Sequence, residues 1–197
     1  MRLFYAVFLP EDVRRALEAA QEKLSRYKGW KAVPPHQLHL TLLFLGERPE
    51  GDLEDLIALG HRLGRKTPPF VAGLRGTGYF PNEGTPRVWF AKAEGEGFNL
   101  LARGLRDGVR EVLGEEALKA EGDRAFKPHI TLARRKAPAP RVPPVVFGLT
   151  WPVESFALVR SELKPRGPVY TILEKFPLRG EHGREQEEVA GKRPQDH

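Results

Sequence analysis

Two four-residue stretches, His39-Leu40-Thr41-Leu42 and His129-Ile130-Thr131-Leu132, repeat one arrangement of chemistry-bearing side chains. Read as β-strands, each sends its histidine and threonine to one face and its two aliphatic residues to the other, because successive side chains alternate. An imidazole gives or takes a proton near neutral pH, and a hydroxyl donates a hydrogen bond to an oxygen that is gaining charge. If the two strands lie side by side in a cleft, both sets converge on one small volume. That convergence suits cleavage of a phosphoester, in which one group deprotonates the nucleophile while another protonates the departing oxygen.

Taken singly, each motif has a plainer meaning. A lone strand histidine is commonly a hydrogen-bonded structural residue, and threonine is frequent in strands because its branched side chain fits there. The repetition of the pair makes His39, Thr41, His129 and Thr131 the candidate site. His36 lies three residues before His39, so the strand period puts it on the opposite face, as a surface residue. His61 falls in a helical stretch and His182 and His197 near the end of the chain, and none of them is given a role. Neither motif contains a carboxylate or a third histidine at a ligand spacing, so a metallohydrolase built on His39 and His129 has little support and no metal or cofactor is expected.

The elements that must position these residues alternate regularly. Residues 2–8 read as an apolar strand, and Pro10-Glu11 opens a helix whose stripe is Val13, Leu17, Ala20 and Leu24, reaching about Tyr27. His36 to Leu45 is the first motif strand, stopped by Gly46. Leu53, Leu56, Ile57, Leu59 and Leu63 mark a second helix before Pro68-Pro69. Phe70 to Tyr79 and Pro86 to Ala93 form a hairpin around Pro81-Asn82-Glu83-Gly84. Phe98 to Leu113 is a third helix, buried through Leu100, Leu101, Leu105, Val109, Val112 and Leu113 and ended by Gly114. After the second motif strand, Ala137 to Pro144 is too proline-rich for helix and crosses the surface. Val145 to Phe147, Val153 to Leu163 and Val169 to Phe176 complete the strands, with a last hairpin turned by Lys164-Pro165-Arg166-Gly167-Pro168. The predicted fold is α+β, with the motif strand recurring once per half in two related, facing lobes.

Composition narrows the classes. The chain has 197 residues, 40% hydrophobic and 29% charged, enough for one two-lobed domain over residues 1–179. No apolar run approaches the roughly 20 residues needed to span a bilayer, the first residues make a poor signal peptide, and no cysteine is present, so a soluble, cytoplasmic protein is expected. Beyond Arg179 apolar residues nearly vanish, and residues 180–197 are expected to form a disordered or loosely attached tail. That segment holds more acids than bases, so the remainder is more basic than the total of +6 implies. Such a body attracts polyanions, RNA or a phosphorylated nucleotide being the natural partner, although charge of this kind also occurs in heat-adapted proteins.

With these flanks the sequence resembles the 2H phosphoesterases, named for two H-x-T-x motifs. Within them it is most similar to the RNA 2′,3′-cyclic phosphodiesterase branch, also called 2′-5′ RNA ligase. The resemblance covers about residues 1–178 and rests on Arg2-Leu3-Phe4, on His39-Leu40-Thr41-Leu42 running into Phe44-Leu45-Gly46, and on Phe80-Pro81 and Arg87-Val88-Trp89. It continues through Lys127-Pro128-His129-Ile130-Thr131-Leu132-Ala133-Arg134, Ser161-Glu162-Leu163 and Gly167-Pro168-Val169-Tyr170. It implies two pseudo-symmetric lobes of antiparallel sheet around a V-shaped cleft, with helices outside. A monomer needing no cofactor is expected. The resemblance further implies His39 as proton donor, His129 as proton acceptor, Thr41 and Thr131 on the phosphate, and Arg134 as a phosphate contact. The implied substrate is RNA with a 2′,3′-cyclic phosphate end, or a cyclic nucleotide, hydrolysed to a 2′-phosphomonoester, with reversible 2′-5′ joining as a lesser activity. Phe44 could stack a base at the cleft edge but is kept outside the site, and Arg135 and Lys136 are assigned to long-range attraction. The rival from another class is a non-catalytic RNA-binding module using the same basic cleft.

Overall fold

A computed structural model describes residues 1–136 and 138–181 of the chain. In chain order the strands are β1 (Arg2–Phe8), β2 (Trp30–Ala32), β3 (His39–Glu47), β4 (Phe70–Phe80), β5 (Val88–Glu94), β6 (His129–Arg135), β7 (Leu149–Val153), β8 (Ser155–Lys164) and β9 (Gly167–Pro177). The helices are α1 (Glu11–Gln21), α2 (Leu53–Lys66) and α3 (Glu96–Leu113). All strand pairings are antiparallel, in the order β7-β4-β5-β6-β3-β1-β8-β9, and β2 pairs separately with β6.

Where the two motif strands meet, pairing shrinks to one bridge, Leu40 with Ile130. On either side of it the halves mirror each other: β3-β1-β8-β9 makes one lobe and β6-β5-β4-β7 the other. The sheet therefore curls open at its middle, and the opening begins at the histidines. Extending the antiparallel sense of the bridge sets His39 across from Thr131 and Thr41 across from His129. Leu40 and Ile130 are fully buried on the other face, in one core with Val13, Leu17, Leu56, Leu59, Leu101 and Leu105 of the helices.

β1 shows why a continuous apolar run was needed. Leu3, Tyr5 and Val7 enter the helix-covered core, while Phe4 and Ala6 join Ala157 and Val159 in a second cluster on the cleft side, with Phe8, Phe44 and Tyr170 packed against it. Tyr5 donates its hydroxyl proton to the Leu56 carbonyl at 2.6 Å, so the strand is fastened to α2 through a satisfied buried phenol. A close approach also needs Gly60: a Cβ there would lie 2.3 Å from the Phe176 ring of β9.

Several sequence expectations change in detail. The first helix ends at Gln21 and continues only as a 3₁₀ segment, Glu22–Arg26, so it stops short of Tyr27. The first motif strand begins at His39, because Pro35–Gln37 forms a 3₁₀ turn; His36 is exposed in that turn and not on the back of a strand. Leu100 is 47% exposed, pointing away from the Phe98, Leu101, Leu105 and Val109 stripe, and Val112 is exposed near the end of the helix. Val145 to Phe147 is irregular; Val145 exchanges hydrogen bonds with Thr77 where β4 is bulged, and the strand lies later, at Leu149–Val153. Backbone bonds continue to Gly180, whose N–H donates to the Thr67 carbonyl, so the start of the expected tail is attached. The remainder of that tail, 182–197, lies outside the described residues. Among the described residues no helix is long and apolar enough to cross a membrane.

Truncating the bridge residue should test how strongly the lobes depend on it. Leu40→Ala is expected to cost about 2–5 kcal/mol of unfolding free energy by urea titration. A loss below about 1 kcal/mol would show that the junction tolerates a cavity and that the lobes are held elsewhere.

Candidate active site

His39 and His129 each begin a strand, and each ring is held the same way. Nδ1 of His39 lies 2.6 Å from the Gln37 carbonyl oxygen, and Nδ1 of His129 lies 2.6 Å from that of Lys127, in both cases two residues back along the chain. A carbonyl oxygen only accepts, so Nδ1 carries the hydrogen in both rings and the exchangeable position is Nε2. Nε2 of His39 is 3.0 Å from the Thr41 hydroxyl. Nε2 of His129 has no protein partner among the described residues, leaving its lone pair open.

Aromatic rings hold the imidazoles from behind. Phe4, Phe8 and Tyr170 surround His39 at centroid distances of 5.1, 5.9 and 5.5 Å. Phe80 and Phe90 meet the His129 ring edgewise at 4.8 and 5.4 Å. The Gln37 turn is itself fixed, since its buried amide donates to the Pro168 carbonyl at 2.5 Å and so ties the His39 loop to the β8–β9 hairpin.

One cavity of about 480 Å³ is lined by His39, Thr41, His129, Thr131 and Arg134, bringing all five candidate residues together. Arg2, Lys31 and Arg166 add positive charge to its walls, and Tyr170 and Phe44 add aromatic surface. None of these wall residues was assigned to the site from sequence. Lys31 enters because β2 pairs with β6 and sets it opposite Arg134, and Arg2 because β1 pairs with β8 and sets it opposite Ser161. Phe44 lines the cavity beneath the Arg2 guanidinium, 5.2 Å from its ring centre. Arg135 turns away and donates to the Pro86 carbonyl. Among the described residues no group of three or more histidine, aspartate or glutamate side chains converges to hold a metal.

Electrostatics bias both imidazoles toward the neutral form. Burial holds His39 below its ordinary value, the Gln37 carbonyl works against that, and the charges of Arg134 and His129 add to the depression. His129 is lowered for the same leading reason and by Arg134, while the Lys127 carbonyl and the Glu121 carboxylate oppose the shift. Burial also raises Tyr170, which stays a hydrogen-bond donor despite Arg134 and Arg2 nearby. A cavity with this surplus of positive charge is prepared for an anion, whose arrival would restore proton affinity to the imidazoles.

A sequence model described as the 2′-5′ RNA ligase superfamily matches residues 9–165. The chain belongs to the 2′-5′ RNA ligase superfamily. Within it, a Thermus thermophilus protein named RNA 2′,3′-cyclic phosphodiesterase is 76% identical over 196 residues, covering 99% of each chain. An Archaeoglobus fulgidus protein of the same name is 40% identical over 186 residues, covering 89% of this chain and 99% of its own. Solved superfamily folds superimpose closely: a Thermus thermophilus crystal structure gives a TM-score of 0.89 at 77% identity, covering 92% of this chain and all of its own. Escherichia coli LigT complexed with 3′-AMP gives 0.73 at 29% identity, covering 90% and 97%.

The histidine electrostatics can be read by NMR titration of the imidazoles. Replacing Arg134 with glutamine removes a positive charge that lowers both groups, so both midpoints should move up from values below 6.5, and inorganic phosphate should move them up in the unaltered protein. Midpoints that ignore both changes would place Arg134 and the anion away from the imidazoles.

Proposed function

We propose that this chain is an RNA 2′,3′-cyclic phosphodiesterase that opens the cyclic end to a 2′-phosphomonoester by acid-base catalysis between His129 and His39. The observation that carries the proposal is the matched pair of Nδ1-to-carbonyl hydrogen bonds, which leaves Nε2 of each ring as the proton-transfer atom in one anion-attracting cavity. Relatives named for this activity, at 76% and 40% identity, support it.

In the proposed reaction Nε2 of His129 accepts a proton from water as the water oxygen bonds to phosphorus. The bond from phosphorus to the ribose 3′-oxygen breaks on the opposite side, and Nε2–H of His39 supplies that oxygen with its proton. The open lone pair on His129 suits the base, and the family resemblance supports the same assignment. Thr41 and Thr131 donate to the non-bridging oxygens as these gain charge, and Arg134 offers a planar fork of donors to the phosphate. The substrate's negative charge offsets the burial and the Arg134 field, which allows His39 to be protonated in the complex. An RNA 5′-hydroxyl in place of water would give a 2′-5′ linkage by the same proton transfers. Water at about 55 M wins unless that hydroxyl is held in place with high effective molarity.

His39→Ala and His129→Ala should each lower turnover of 2′,3′-cyclic AMP by at least about 10²–10⁴-fold while remaining folded, with smaller losses for Thr41→Ala and Thr131→Ala. The reading fails if either histidine variant retains near-normal turnover. Binding of cyclic-ended RNA without any turnover would instead favour a non-catalytic RNA-binding module, and full activity in chelator is expected. The pH profiles should be bell-shaped, because one imidazole must be charged and the other neutral. Since both groups lie below 6.5 in the free protein, kcat/KM should peak on the acid side of that value. The maximum of kcat should lie at higher pH, because the bound anion raises both groups. Coincident maxima would contradict the proposed role of the phosphate.

A further inference from the structure

Beyond His129, away from the bridge, the cleft-facing side of the second lobe carries another cavity of about 480 Å³. Its floor follows from strand register: Lys92 pairs with His129, Phe90 with Thr131, and Gly78 with Phe90. Gly78 is what lets Phe90 lie flat, because a Cβ there would sit 2.9 Å from the ring. Phe80 then stacks on Phe90 at 4.1 Å and 19°, and both rings also meet the edge of His129. The His129 imidazole and this second cavity thus share one aromatic wall.

The cavity's remaining lining has the chemistry of a nucleoside site. Phe126 is partly exposed there. Lys92 and Lys127 are exposed cations with no ion pair among the described residues. The acids on the rim are already matched, Glu94 with Arg75 at 2.8 Å and Glu83 with Arg141 at 3.8 Å. Free cations beside half-exposed aromatic rings bind the backbone and bases of single-stranded nucleic acid without needing a particular sequence.

The course of the reaction says which nucleoside belongs there. When a cyclic phosphate opens, the leaving oxygen stays on the same ribose, so the cyclic-ended nucleotide lies on the acid side, against His39, Phe4 and Tyr170. The nucleophile enters opposite, past His129. Water needs no further space, whereas a hydroxyl on a second nucleoside brings a ribose and a base over the second lobe.

We infer that the cavity lined by Phe80, Phe126, Lys92 and Lys127 is a subsite for the 5′-terminal nucleoside of a 5′-hydroxyl RNA strand. This rests on the acid and base roles proposed above. In the forward direction the 5′-oxygen gives its proton to Nε2 of His129 and bonds to phosphorus, the bond from phosphorus to the 3′-oxygen breaks, and that oxygen takes the proton of His39. One phosphodiester replaces another, so no nucleotide triphosphate is consumed. In reverse the same subsite holds the strand released when a 2′-5′ linkage is cleaved.

The test compares two reactions of the full chain: hydrolysis of 2′,3′-cyclic AMP, and joining of a 2′,3′-cyclic-ended oligonucleotide to a 5′-hydroxyl oligonucleotide, with cleavage of a 2′-5′-linked dinucleotide as the reverse. Phe126→Leu keeps an apolar side chain, and Lys92→Glu reverses a surface charge. The double variant should lose about tenfold or more in kcat/KM for joining and for 2′-5′ cleavage, while cyclic AMP hydrolysis stays within about twofold. Joining that is unaffected, or that falls in step with hydrolysis, would overturn the inference. So would unaltered protein that hydrolyses cyclic AMP but neither makes nor cleaves a 2′-5′ linkage at any strand concentration. Failure of cyclic AMP hydrolysis in the unaltered protein would instead count against the acid-base reading on which the subsite rests.

Discussion

Nδ1 of each central histidine is committed to a main-chain carbonyl, and the use of the rest of the fold follows from that constraint. A side chain with two titratable nitrogens becomes one with a single working atom, and the ring's tilt is set by backbone that cannot rotate away. The carbonyls belong to Gln37 and Lys127, two residues before the strands begin. Anything that shifts the strand starts would therefore shift both the tautomer and the aim of the rings. The buried Gln37 amide reaching across to Pro168 is one way the chain resists such a shift.

Two opposing demands meet in the cleft. Proton transfer needs imidazoles near their ordinary titration range, yet positioning them requires aromatic packing and burial that depress it. Arg134 sharpens the conflict by lowering both groups. In the proposed reaction the substrate resolves it, because the phosphate charge offsets the guanidinium and returns proton affinity at the moment of binding. Catalytic readiness is then coupled to occupancy, and the empty site disfavours the charged imidazole. Pairing between β3 and β6 is limited to the single Leu40–Ile130 bridge, which is where the two lobes meet at the cleft.

Much of this was legible in the sequence because the chemistry lies on a strand period. Alternation alone places His39 and Thr41 on the face opposite Leu40, and the second motif behaves alike. The long elements were equally plain: β1 and the β4–β5 and β8–β9 hairpins carry continuous apolar or turn signals. The illegible parts depended on register. β2 is three residues, Trp30–Ala32, with no apolar pattern of its own, and it exists through pairing with β6. Lys31, Arg2 and Arg166 are ordinary surface charges in sequence, and only strand neighbours and a hairpin turn give them an address on the cavity wall. β7 was misplaced for a similar reason. Its Pro152 argues against a central strand, and the position is tolerated because β7 lies at the sheet edge with β4 as its one neighbour.

The division of labour between the imidazoles is the central claim, and a sulfur-for-oxygen substrate tests it most directly. In a 2′,3′-cyclic phosphorothiolate carrying sulfur at the 3′ position, the leaving atom departs without needing a proton, so a general acid becomes dispensable while a general base does not. The predicted result is that His39→Ala approaches the unaltered protein's rate on this substrate and that His129→Ala stays as impaired as on the oxygen substrate. Rescue of His129→Ala in place of His39→Ala, or equal behaviour of the two variants, would contradict it.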